Sequence, residues 1–72
     1  MFADRLKEER ERKGLSQVEL ADRLGISKQT IYKYERGIAL PSVDTLLDIA
    51  NILDCSMDYL FGRTDNRGIA IV

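Results

Sequence analysis

The 72-residue sequence has no histidine, no tryptophan, one cysteine and one proline. Without histidine, the commonest general base and metal ligand near neutral pH is missing. One cysteine cannot close an intramolecular disulfide. No carboxylates cluster in the sequence as facing catalytic pairs, so the chain is not expected to be an enzyme, and no metal or cofactor is expected. There is no run of eighteen apolar residues to span a membrane, and no charged-then-apolar signal segment at the start. A cytoplasmic location is expected on those grounds. The chain also lacks the basic excess of a typical nucleic-acid binder, since its formal net charge is −1. At this length folding buries only about 60% of the unfolded surface, so one small domain is expected, with association as a common supplement.

The near-neutral total hides an asymmetry. Residues 1–36 hold nine Lys/Arg against seven Asp/Glu, whereas residues 37–72 hold two against five. Such a split hints that one face meets an anion and the other does not.

What the sequence does contain is helix punctuation. Ser16 is followed three residues later by Glu19, a capping box in which each side chain satisfies a free backbone N–H. Ser27, Ser42 and Ser56 precede further periodic stretches, and Gly14, Gly25, Gly37 and Gly62 follow them as left-handed caps would. Pro41 pushes Leu40 out of helical conformation just before Ser42. Five helices are predicted, over roughly Phe2–Lys13, Gln17–Leu24, Lys28–Arg36, Val43–Leu53 and Met57–Phe61. Their inward residues are Phe2 and Leu6, then Leu20, Ala21 and Leu24, then Ile31 and Tyr34, then Leu46, Leu47, Ala50 and Leu53. The fold class is all-α.

The second and third helices are short and separated only by Gly25-Ile26-Ser27, the sequence form of a helix-turn-helix. Ala21 falls where the two helices would cross, and a larger side chain would push them apart. Gly25 supplies the positive φ of the turn. Ile26 and Ile31 plug the junction from both sides.

Gly14-Leu15-Ser16-Gln17-Val18-Glu19-Leu20-Ala21, Leu24-Gly25-Ile26-Ser27, Ile31 and Glu35-Arg36-Gly37 together closely resemble the phage-repressor/Cro-like (XRE-type) helix-turn-helix family. Pro41-Ser42, Asp44-Thr45-Leu46-Leu47 and Met57-Asp58-Tyr59-Leu60-Phe61-Gly62 continue the match over roughly residues 3–65. The resemblance implies a five-helix, lambda-repressor-like domain over residues 1–65 that binds operator DNA, typically as a two-fold dimer on a palindromic site. Residues 66–72 would form a C-terminal tail.

In a helix-turn-helix the second helix enters the major groove and presents its N-terminal residues to base edges. Lys28, Gln29, Thr30, Tyr32 and Lys33 are the base-contacting candidates. Glutamine pairs with adenine, lysine donates to guanine, and a threonine methyl touches thymine. Gln17 sits in the first turn of the second helix, where an amide and free N–H groups can hold a phosphate, and the family uses a glutamine there in that way. Ser16, Arg10, Arg36 and Ser42 are further phosphate candidates. Arg10 and Glu35 match residues that pair in several family members, which implies a structural pair fixing the third helix on the first. One departure stands out. The loop after Gly37 often carries Lys or Arg in the family, and here it reads Ile38-Ala39-Leu40.

A domain this small reads half a site, which argues for a homodimer. The family's usual interface implies Met57 and Leu60 as contacts, although Leu60 is equally suited to the monomer core. The tail ends in Ile69-Ala70-Ile71-Val72. It is read as an arm on the partner through Ile69 and Ile71, with packing on its own core, or the stub of a longer repressor, as alternatives. Cys55 takes the place of a small aliphatic residue and is expected to behave as one. No small-molecule ligand is expected. A rival to the DNA-binding reading is a protein-interaction module on the same fold, an antitoxin or adaptor, favoured by the apolar loop and the acidic second half.

Overall fold

The structure is a computed structural model that describes residues 1–62 and 65. Its helices are α1 (Phe2–Arg12), α2 (Gln17–Leu24), α3 (Lys28–Glu35), α4 (Val43–Leu53) and α5 (Met57–Leu60), and no strand occurs among the described residues. Each of the last four helices begins at a serine. The hydroxyls of Ser16, Ser27, Ser42 and Ser56 accept from the backbone N–H groups of Glu19, Thr30, Thr45 and Tyr59 at 3.0, 3.2, 3.3 and 3.0 Å. These bonds satisfy donors that a helix start otherwise leaves free. At α2 the box is closed by the Ser16 N–H donating to Glu19 Oε1 at 2.8 Å, and that bond holds the Glu19 carboxyl below its ordinary value.

The helix ends are equally local. After α2, Gly25 adopts φ 71°, its N–H donates to the Asp22 carbonyl at 3.2 Å, and Ile26 N–H donates to the Ala21 carbonyl at 3.0 Å. Two orphan carbonyls are thereby satisfied and the chain reverses into α3. α4 ends the same way without a glycine: Asp54 takes φ 56°, and Cys55 N–H donates to the Ala50 carbonyl at 3.0 Å. Helices α1, α3 and α5 each stop one residue before the predicted limit, because Lys13, Arg36 and Phe61 serve as their caps.

One apolar cluster joins all five helices: Leu6, Leu20, Ile31, Ile49, Leu53 and Leu60 are fully buried in it. Burying each of these side chains contributes about 2 kcal/mol from area alone. In α4 the inward row is Leu46, Ile49, Ala50 and Leu53. Leu47, expected inside, is 46% exposed. Residues 46, 50 and 53 define a helical face that either 47 or 49 could widen, and docking against the neighbouring helices selects Ile49. Of the two places open to Leu60, a dimer contact or the monomer core, it takes the core. It has no exposed surface, because α5 is anchored by it into the core, while Met57 packs partly buried beside the cluster.

Charged side chains tie the helix ends together. The Arg5 guanidinium donates to the Tyr59 carbonyl and to Asp65, both at 2.8 Å, and lies 4.2 Å from the Tyr59 ring centroid, fastening α5 onto α1. Phe2 stacks on Phe61 at 5.3 Å between centroids. Glu9 is buried and accepts two bonds from Arg12, at 2.8 and 3.1 Å. Cys55 packs partly buried against the core, and that burial, with the Glu9 charge second, pushes its thiol up to about 11. Ile69 and Ile71 lie outside the described residues.

Candidate nucleic-acid interface

The crossing of α2 and α3 depends on Ala21, which is 2% exposed and leaves room for the helices to close on each other. Ile31 and Tyr34 point from α3 into the core. Helical geometry then sends residues 28, 32 and 36 outward in one row and 29 and 33 in the next. Lys28, Gln29, Tyr32, Lys33 and Arg36 are indeed all exposed. Thr30 is half-buried at the edge of this face, its hydroxyl 2.9 Å from that of Ser27. The Arg36 guanidinium lies 5.7 Å from the Tyr32 ring centroid, so the cation and the aromatic form one unit on the surface.

α3 contains a single carboxylate, Glu35, and it turns inward. Its side chain is 4% exposed. Arg10 Nε donates to Glu35 Oε2 at 2.6 Å and Arg10 Nη2 to Glu35 Oε1 at 3.1 Å, a two-pronged contact between α1 and α3. Arg10 Nη1 donates to the Leu15 carbonyl at 2.8 Å. The bonds to Glu35 hold the guanidinium above its ordinary value, against the cost of burial. Arg10 is thus placed as the structural partner of Glu35: each of these three nitrogens donates to an acceptor inside the protein, and Glu35 pairs its charge. With Glu35 withdrawn, the outer face of α3 carries Lys28, Lys33 and Arg36 and no opposing carboxylate of its own helix.

Gln17 is half-buried at the first position of α2, and its Nε2 donates to Glu35 Oε1 at 3.1 Å. Ser16 and Ser42 are exposed at the N-caps of α2 and α4, with their hydroxyls engaged in capping. The loop into α4 is apolar and open: Ile38, Leu40 and Val43 are 66%, 71% and 66% exposed. Sequence reasoning missed three contacts. Gln17 and Glu35 are far apart in the chain and give no local signal. Arg5 gave none either. Glu9 and Arg12 have the spacing of an ordinary exposed helix pair, and only the fold shows that the carboxylate is buried. Among the described residues no group of three or more His, Cys, Asp or Glu could hold a metal ion, and no helix is long and apolar enough to cross a membrane.

Five helices with this turn between the second and third, and a cationic outer face on the third, define a helix-turn-helix domain of the phage-repressor type. The chain belongs to the helix-turn-helix family HTH_3, whose model matches residues 6–60. It is 42% identical over 69 residues to the uncharacterized HTH-type transcriptional regulator YqaE of Bacillus subtilis, covering 96% of this chain and 60% of that protein. The chain thus spans about three-fifths of the length of that relative. Among solved structures it is similar to SinR, the master regulator for biofilm formation, in complex with DNA, with a TM-score of 0.78 and 34% identity over 85% of this chain and 98% of that one. It is also similar to the P22 c2 repressor in complex with a synthetic operator, with a TM-score of 0.80 and 30% identity over 83% of this chain and 91% of that one.

Proposed function

We propose that this protein is a sequence-specific DNA-binding transcriptional regulator, a repressor by type, which binds a palindromic operator as a homodimer with α3 in the major groove. The observation that carries this reading is the outer face of α3. Lys28, Gln29, Tyr32, Lys33 and Arg36 are exposed together there, while the helix's carboxylate is buried. Phosphates attract the cations, and Gln29 and Lys28 supply the donors and acceptors that distinguish base edges. The names of its relatives support the same role, and two of the similar structures are DNA complexes. In this reading Lys28, Gln29, Thr30, Tyr32 and Lys33 address bases. Gln17, Arg36, Ser16 and Ser42 address the backbone.

The exposed apolar loop at Ile38, Leu40 and Val43 favours a second reading, a protein-interaction module on the same fold. Mobility shifts on selected and random duplexes separate the two. Gln29→Ala should remove base preference at the position it addresses, and Gln17→Ala should weaken binding equally on every sequence. A wild-type protein with no preference over competitor DNA at moderate salt would hand the case to the interaction module.

A further inference from the structure

We propose that Glu35 is a positioning residue for DNA binding, acting through Gln17. The inference rests on the DNA-binding reading above and deepens it. An ionised carboxylate can only accept hydrogen bonds. Glu35 Oε1 receives Gln17 Nε2 at 3.1 Å, and the same carboxylate is held from behind by Arg10 at 2.6 and 3.1 Å. Its side chain is 4% exposed, so water offers little competition for these bonds. The consequence is a fixed polarity for the Gln17 amide. Its nitrogen must face Glu35, because turning the amide over would set its carbonyl oxygen against the carboxylate. One N–H is consumed and the second is left to donate at the N-terminus of α2, where helix geometry leaves backbone donors open.

A phosphate is also acceptor-only, so a freely turning glutamine presents the wrong end half the time. Glu35 removes that choice. It also sits at the last position of α3, so one buried carboxylate sets the anchor on α2 and the seat of the reading helix together. Arg10 completes the relay by orienting Glu35 itself. α1, α2 and α3 meet at this single group.

The test is a double-mutant comparison on the tightest duplex recovered by selection from a random pool. In the wild-type background Gln17→Ala should weaken binding about tenfold, the scale of one hydrogen bond to a charged group. The pair Arg10→Met/Glu35→Leu removes the carboxylate without stranding a buried charge, so the fold is kept. In that background Gln17→Ala should cost less than about twofold, since an unpositioned amide contributes little. Equal factors in the two backgrounds overturn the positioning role while leaving DNA binding intact. Absence of any preferred duplex defeats the parent reading, and this inference with it. A second measurement needs no variant: in NMR spectra one Gln17 Nε2 proton should exchange with solvent more slowly than those of exposed Gln29. Equal exchange at both amides contradicts the proposal.

Discussion

At the scale of single residues, Glu35 and Cys55 show how burial turns ordinary side chains into determinants of stability. Glu35→Ala leaves Arg10, whose side chain is 9% exposed, with only the distant, exposed Glu11 carboxylate at 3.9 Å among the described residues. Removing one partner of a buried pair costs about 3–5 kcal/mol, so urea unfolding should reveal a loss of that order. Replacing both partners with Arg10→Met/Glu35→Leu should restore most of it. Cys55 acts through pH. Its thiol is raised from 9.0 to about 11 by burial, so its contribution to stability is complete below pH 9.0 and is lost as pH climbs towards about 11. The stability advantage of wild type over Cys55→Ala should therefore stay constant to pH 9.0 and shrink above it. An advantage unchanged at pH 11 contradicts the burial described for this thiol.

At the scale of elements, stability is governed by how helices start and stop. A Cβ at Gly25 would meet nothing within 4 Å, so Gly25→Ala carries only the cost of the left-handed backbone at φ 71°. That is about 1–2 kcal/mol, and in a domain this small it lowers Tm by several degrees. Asp54 is the opposite case. It holds φ 56° and places a negative charge at the C-terminal, electron-rich end of α4, where among the described residues an exposed 4.0 Å contact to Lys13 is the compensation. Asp54→Asn keeps a side chain that tolerates this backbone and removes the charge, so Tm should rise. The same local chemistry explains what was legible in advance. Serine caps and glycine stops act within a few residues, so all five helices and the turn between α2 and α3 could be read from the sequence. The inward choice between Leu47 and Ile49, the burial of Leu60 and the Gln17–Glu35 bond depend on how helices dock. Nothing within a single helix encodes them. The outward row of α3 was legible because Ile31 and Tyr34 fix the inward one.

At the scale of the whole molecule, a net charge of −1 is compatible with DNA binding because the charges are sorted. The single carboxylate of α3 is withdrawn from its outer face, while the chain beyond residue 36 holds two Lys/Arg against five Asp. With no cation in the loop 37–43, the proposed dimer would draw its affinity from Lys28, Lys33 and Arg36 of each subunit. If a dimer neutralises about 6–8 phosphates, log K should fall against log salt with a slope of roughly −5 to −7. A titration across salt concentrations checks this, and a slope near zero contradicts a backbone-anchored complex. The most direct test of the central claim is selection of bound duplexes from a random-sequence pool, run with wild type and with Gln29→Ala. The expected wild-type result is a two-fold symmetric motif whose half-sites lie about one helical turn apart. Gln29→Ala should lose the information at one position in each half. No enrichment with wild type, or the same motif unaltered in the variant, contradicts the claim that α3 reads DNA.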